Sequence, residues 1–229
     1  MEKNFRVAEI KEAYKSPEQR ELLLKLLENE IIEKSFFLTG GTALSVFYLG
    51  HRISEDLDFF TTSNVNLGDL SFWIKLKFSS NANIVSSSEF FLSYEIFNMR
   101  VDFVIDKLSI NCVRNAFEFE NKRKLTIDCI ENIASNKLCA IVSRLEIRDL
   151  IDFYFIMKTF NLDFDEIYKI CIRKEALFDD PPSAAFEIEQ RLEVLKNLKF
   201  IPLNMLKKVN VDDVISFFDK IALRLYRKV

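Results

Sequence analysis

Residues 37–44 read FLTGGTAL, and residues 51–60 read HRISEDLDFF. The first stretch predicts a strand, a glycine turn and a helix, because an apolar run precedes Gly40-Gly41 and helical spacing begins at Thr42. Glycine lets the backbone approach a ligand closely, and the N–H groups and positive dipole end of such a helix suit a phosphate. An ordinary turn is the alternative interpretation of the glycine pair.

The second stretch brings two carboxylates together. Asp56 and Asp58 stand two apart in a strand-like segment, so both side chains point to one face of the sheet. Carboxylates about 4 Å apart repel by roughly 4 kcal/mol at an effective dielectric of about 20, which argues for a divalent cation between them. Oxygen ligands favour Mg²⁺, with Mn²⁺ as the alternative. The competing interpretation leaves one Asp solvated at the start of the strand.

A later segment offers a third carboxylate. Residues 100–106 read RVDFVID, and Val101, Phe103 and Ile105 alternate with a set that includes Asp102. If this strand lies beside the first, Asp102 completes a three-carboxylate cluster. Such clusters hold two metal ions that stabilise the attacking and leaving oxygens of phosphoryl transfer.

The pattern of apolar and polar residues along the chain predicts an α+β protein. Residues 1–125 are expected to form a nucleotide-binding α/β domain with a small mixed sheet flanked by helices, and residues 126–229 a helical bundle. In the first part we expect a helix from about residue 5 to 34, a helix at 67–78 and strands at 36–38, 57–61, 90–97, 99–106 and 124–127. In the second part we expect helices at 130–145, 147–160, 164–173, 184–198 and 211–227.

Composition excludes several classes of protein. A net charge of −3 and only 4 Gly and 4 Pro argue against a basic nucleic-acid binder and against a disordered chain. The four cysteines lack a CxxC pair, so we expect buried free thiols in a reducing cytoplasm and no zinc site. No segment approaches about 18 uninterrupted apolar residues, so no membrane span is expected.

These motifs resemble a known family. A Gly-Gly pair, then Asp-x-Asp, then a lone Asp on a later strand resembles the DNA-polymerase-β-like nucleotidyltransferase superfamily. The motif GGTAL…HRISEDLDFF is similar to that of the AbiEii/AbiGii toxin branch, whose members read GGTAL…hRxSxDLDF. Residues 137–152, KLCAIVSRLEIRDLID, also match the branch pattern KxxAxxxRxxxRDxxD at every fixed position.

The resemblance implies an enzyme that moves a nucleoside monophosphate from an NTP to an acceptor hydroxyl with Mg²⁺. It implies a bacterial toxin of a toxin–antitoxin or abortive-infection system, with tRNA, another RNA or a protein as the acceptor and a cognate antitoxin as partner. Arg52 and Ser54 are expected near the nucleotide, although Arg52 could instead brace its loop. Other open alternatives are a stand-alone transferase that modifies a protein or small molecule, and a catalytically inactive nucleotide-binding protein.

The motif at 137–152 also has a physical interpretation. If it were one continuous helix, Lys137, Arg144 and Arg148 would share a face and meet the triphosphate. Lys137 would then stabilise the leaving pyrophosphate, and Asp149 or Asp152 would orient the arginines or assist the acceptor. The alternative is a solvated helix face with ordinary Arg–Asp pairs.

Overall fold

The apolar run ahead of the glycine pair is a strand inside a seven-stranded mixed sheet. The computed structural model describes residues 5–198 and 200–228, and the chain divides into two units, Met1–Cys129 and Ile130–Val229. The sheet belongs to the first unit. Its strands are β1 (Phe37–Thr39), β2 (Leu57–Thr61), β3 (Ala82–Ser87), β4 (Phe91–Ile96), β5 (Met99–Ile105), β6 (Asn115–Glu118) and β7 (Lys124–Ile127).

The strands lie in the order β3-β4-β5-β2-β1-β7-β6. β1 runs antiparallel to β2 and parallel to β7, and β2 runs parallel to β5, whereas the other neighbours are antiparallel. The α-helices of this unit are α1 (Pro17–Leu26), α2 (Glu30–Ser35), α3 (Gly40–Thr42), which continues as a wider π-type helix over Ala43–Leu49, and α4 (Leu67–Phe78).

Alternation of burial along β2 and β5 fixes which face of the sheet is the core. Phe59 and Phe103 are Cα partners on these strands, and their rings stack at 5.4 Å in the interior. β5 enters from the hairpin with β4, whose turn at Phe97-Asn98 has both residues at positive φ, 52° and 59°. The predicted hairpin near Asn98 is therefore present, and the residues between the buried positions point to the opposite face.

Two expectations for the first unit were wrong. The predicted helix from residue 5 to 34 begins only at Pro17 and is interrupted before Asn29, whose side chain caps α2. Ahead of it, Ala8 and Ile10 donate backbone hydrogen bonds to the carbonyls at 47 and 46, and Lys11–Ala13 forms a single 3₁₀ turn, so the α-helical spacing does not extend through this segment. The edge strands β3 and β6 were not predicted.

The second unit is helical. Its α-helices are α5 (Ile130–Ser143), α6 (Ile147–Phe160), α7 (Phe164–Ile172), α8 (Pro181–Leu198) and α9 (Val211–Tyr226). Because α5 ends at Ser143 and α6 begins at Ile147, the motif at 137–152 is not one continuous helix. Aromatic side chains form part of this core, with the rings of Phe153 and Phe218 6.0 Å apart. The predicted fold class, a mixed sheet flanked by helices and followed by a helical region, is confirmed.

None of the helices among the described residues combines the length and the apolar character that crossing a bilayer requires.

Candidate active site

Asp58 and Asp102 face the same side of the sheet. They are Cα partners on the adjacent parallel strands β2 and β5. On both strands the flanking residues are buried while the aspartates are half-buried, so the two carboxylates stand on the face opposite the aromatic core. The three-carboxylate cluster was predicted on the condition that these two strands are neighbours, and the structure meets that condition.

Gly40 lies directly beneath one of these carboxylates. A Cβ atom at Gly40 would stand 2.3 Å from Asp58 Oδ2, and the residue has φ +67°. Any other residue would carry left-handed strain and would also displace the carboxylate. The glycine turn and Asp58 are therefore in direct contact.

Gly41 and Thr42 contact the loop before β2. A Cβ atom at Gly41 would lie 2.7 Å from Arg52 Nη2 and 2.8 Å from Ser54 Oγ. The Thr42 hydroxyl contacts Ser54 Oγ at 3.0 Å and donates to the backbone carbonyl of Asp56. Arg52, Ser54 and Thr42 are all buried. The structure therefore gathers the glycine turn and the loop carrying Arg52, Ser54 and Asp56 around Asp58.

Asp102 has two partners that the sequence did not suggest. Ser93 Oγ donates to Asp102 Oδ1 at 2.5 Å from the neighbouring strand β4, and Arg100 Nε lies 3.1 Å from both carboxylate oxygens. The hairpin turn at 97–98 pairs Ile96 with Met99 and hence Ser93 with Asp102. This contact could have been read from the predicted hairpin. Both partners hold the carboxylate in one orientation.

The donor set suits a hard divalent cation. Asp58 and Asp102 offer carboxylate oxygens from adjacent strands, and Asp56 stands two residues before Asp58, which is the oxygen chemistry that Mg²⁺ and Mn²⁺ take. Within the described part of the chain, the ligand atoms of Asp56, Asp58 and Asp102 are not all within 4.8 Å of one another, whereas those of Cys112, Asp128 and Cys129 are.

The two cysteines of that group are covalently bonded to each other. Cys112 and Cys129 form a disulfide, so the expectation of free thiols is wrong for these two residues, while Cys139 and Cys171 are free. Both sulfurs are bonded to each other, and Asp128 accepts hydrogen bonds from Thr39 and Arg114. The group consequently has no thiolate to offer a metal.

In the second unit, Lys137 lies between two carboxylates. Its Nζ is 2.8 Å from Asp149 Oδ1 and 2.7 Å from Asp152 Oδ2, and all three residues are buried. Asp149 or Asp152 was expected to orient the arginines of this motif. In the structure both aspartates contact Lys137, which is more deeply buried than Arg144. A buried lysine held in this way is fixed in position.

Arg144 joins the same cluster. Arg144 Nε and Nη2 lie 2.8 and 3.1 Å from the two oxygens of Asp149, although Arg144 sits in the connection between α5 and α6. Burial by itself would raise the pKa of Asp149, but Lys137 and Arg144 together hold that pKa below its ordinary value. Arg148 Nε lies 3.9 Å from Glu146 Oε2. The cluster therefore includes Lys137, Arg144, Asp149 and Asp152.

A family model described as "Nucleotidyl transferase AbiEii toxin, Type IV TA system" matches residues 21–83, which include the glycine turn and both Asp56 and Asp58. An uncharacterised protein of Aquifex aeolicus (strain VF5) is 30% identical over 157 residues, which are 69% of this chain and 74% of that protein.

Two solved structures from Helicobacter pylori share the fold. One is described as a nucleotidyltransferase and has a TM-score of 0.55 at 19% identity, covering 93% of this chain and 96% of its own. The other, the protein JHP933, has a TM-score of 0.50 at 19% identity, covering 96% and 94%. At this level of identity the likeness concerns the fold.

Proposed function

We propose that this chain, which belongs to the AbiEii nucleotidyltransferase toxin family, moves a nucleoside monophosphate from an NTP to an acceptor hydroxyl and releases pyrophosphate. A nucleotidyltransferase activity and a toxin of toxin–antitoxin type are what the family supports, and nucleotidyltransferases of this kind use NTPs and divalent metals. The observation that carries the finer proposal is the contact of Asp58 with Gly40 on one side, with Asp102 as its neighbour on the next strand.

The proposed phosphate site is the glycine turn. The phosphates of the NTP would lie against Gly40, Gly41 and Thr42, where the backbone can approach them closely. Arg52 is buried beside Gly41 together with Ser54, so its guanidinium adds positive charge beneath the turn. The contact between Thr42 and the Asp56 carbonyl supports this arrangement because it holds the turn against the carboxylate loop.

A magnesium ion would be held by Asp56, Asp58 and Asp102, and it would neutralise the phosphates and the developing charge on the attacking oxygen. The acceptor hydroxyl attacks the α-phosphorus and forms the new P–O bond. The bond from the α-phosphorus to the bridging oxygen breaks, and pyrophosphate leaves with that electron pair. Asp102 would position the acceptor hydroxyl or accept its proton, and the contacts from Ser93 and Arg100 fix the carboxylate for this role.

For the second unit we propose that Lys137, Arg144 and Arg148 bind phosphate oxygens of the nucleotide or acceptor. Asp149 would be the residue that orients Lys137 and Arg144, because it contacts both. Enclosure of Lys137 by two carboxylates limits its motion, which favours a fixed electrostatic role over a mobile one.

The proposed biological role is that of a toxin acting on RNA. We propose tRNA or another RNA as the acceptor, a cognate antitoxin as the partner, a part in abortive infection and the cytoplasm as the compartment, where NTPs and RNA are available together. This set rests on the family description and not on a contact in the chain.

Label transfer tests the proposal. The protein is incubated with each α-labelled NTP, Mg²⁺ or Mn²⁺, and either total tRNA, total RNA or cell lysate. Label on RNA supports the proposed acceptor, label on protein or a small molecule supports a stand-alone modifying enzyme, and no label with any acceptor supports an inactive nucleotide-binding protein. Induced expression in a bacterial host should arrest growth, and unaffected growth would contradict the toxin role.

A further inference from the structure

Asp128 is a buried carboxylate that neither the family motifs nor the proposed reaction uses. It follows β7 and is fully buried, with 0% of its surface exposed. Its Oδ2 accepts a hydrogen bond from Thr39 Oγ1 at 2.7 Å, and its Oδ1 accepts from Arg114 Nε at 3.1 Å and from the Cys129 N–H at 3.0 Å. A buried carboxylate without partners would be strongly destabilising, so this set of donors is what permits its position.

The backbone of Asp128 is held as firmly as its side chain. Its N–H donates to the carbonyl of Leu38 at 2.9 Å, and its carbonyl accepts from Tyr48 Oη at 2.6 Å. Arg114, which neutralises the carboxylate, is itself fixed because its guanidinium carbon lies 3.8 Å from the centre of the Phe37 ring. Asp128 is therefore a rigid, charge-balanced acceptor beside β1.

Thr39 places this acceptor next to the proposed phosphate site. It is the last residue of β1, it precedes Gly40, and its Cα partner on β2 is Asp58. Thr39 is also the residue that caps the helical segment at 40–49, yet its side chain makes no capping hydrogen bond. Threonine at such a position ordinarily accepts from an N–H two or three residues further on, which here would be Gly41 or Thr42.

We infer that Asp128 is a positioning residue for nucleotide binding: by accepting the Thr39 hydroxyl, it holds the end of β1, and with it the glycine turn, in register with Asp58. Loss of this hydrogen bond would let the turn shift relative to Asp58 and would weaken phosphate binding. This inference rests on the proposed function, because it assigns a role at the same site. Asp128 acts through Thr39 and does not itself touch the substrate.

Binding of a non-hydrolysable NTP analogue with Mg²⁺, measured by calorimetry, tests the inference separately from transfer. Thr39→Val removes the hydroxyl at nearly constant volume and should raise the Kd by roughly five- to tenfold, the effect of one lost hydrogen bond. Thr39→Ser keeps the hydroxyl and should bind as the wild type does. Asp128→Ala should raise the Kd by a similar factor, and adding Thr39→Val to it should produce little further change.

Tyr48→Phe is the matched control, because it removes a hydrogen bond to the Asp128 carbonyl that does not pass through Thr39. It should lower the melting temperature and leave the Kd unchanged. If Asp128→Ala does not fold, the comparison of Thr39→Val with Thr39→Ser decides alone. Tight binding by wild type together with an unchanged Kd for Thr39→Val would overturn the positioning role only. A wild-type protein that binds no NTP analogue would overturn the proposed function and the inference with it.

Discussion

A Cβ atom at Gly40 would lie 2.3 Å from Asp58 Oδ2, so the Asp58 carboxylate rests on the glycine turn itself. A second aspartate, Asp102, is the Cα partner of Asp58 on the adjacent strand. The arrangement is better suited to binding charge than to stability, which is the compromise commonly found at active sites.

Gly40→Ala should therefore abolish transfer while leaving a folded protein. Left-handed strain costs about 1–2 kcal/mol, and the added methyl group must displace Asp58. A misplacement of this size is expected to lower kcat/KM by roughly a hundredfold or more. Steady-state kinetics and urea unfolding provide the two measurements.

Gly50→Ala is the control for that variant. Gly50 also has a positive φ, 56°, but the nearest atoms that its Cβ would meet belong to the Ile10 side chain, with Cδ1 at 3.0 Å and Cγ2 at 3.1 Å. It should lose similar stability and keep its transfer rate. Equal losses of activity in the two alanine variants would show that backbone strain, and not the position of Asp58, is responsible.

Asp149 gives a prediction for pH. Its pKa is lowered in the folded protein because Lys137 and Arg144 outweigh the effect of burial, so its contribution to stability is complete above the ordinary value of 3.8 and disappears as pH falls through the folded pKa. Asp149→Asn should lower the free energy of unfolding by about 3 kcal/mol at pH 7. The difference from wild type should shrink as pH falls below 3.8.

Urea titrations at pH 7, 5 and 3 would measure this change, with the exposed Asp219→Asn on α9 as the control. A difference between Asp149→Asn and wild type that stays constant over this range would show that Asp149 does not stabilise the cluster through its charge.

Thiol counting tests the link between Cys112 and Cys129. Denatured protein that has not been exposed to a reductant should react with a thiol reagent at two cysteines, Cys139 and Cys171. After reduction it should react at four. Because the link spans 17 residues, reduction should lower the free energy of unfolding by roughly 3 kcal/mol. Cys112→Ser should reproduce the loss and Cys139→Ser should not. Four reactive thiols before reduction would refute the disulfide.

The strands that carry the site were predictable because each has one buried and one half-buried face. In β5 this produces a visible alternation, with Val101, Phe103 and Ile105 buried, whereas β2 was recognised as a short, largely apolar run. β3 is an edge strand exposed along most of its length, so no buried face imposes a pattern on its residues. Residues 5–16 were wrongly included in the predicted helix: the helical spacing of apolar residues lies after Pro17, and the backbone bonds of Ala8 and Ile10 with 47 and 46 are invisible in the sequence.

The site was predictable in part. Asp58 and Asp102 followed from their strands, and Ser93 was within reach of the same hairpin argument. Asp128 was not, because its contact with Thr39 joins residues 89 apart through the parallel pairing of β1 and β7, which no local pattern reveals. Arg144 was expected on a shared helix face, but it reaches Asp149 from the connection between two helices.

The most direct test of the central claim is the rate of label transfer from an α-labelled NTP by Asp58→Asn, with Asp106→Asn, directly after β5, as the control. Loss of a metal-binding carboxylate should lower the rate by about a thousandfold or more, whereas Asp106→Asn should transfer normally. The melting temperature of Asp58→Asn should stay close to that of wild type, because the amide has nearly the same shape as the carboxylate that it replaces beside Gly40. Transfer at the wild-type rate by Asp58→Asn would contradict the account.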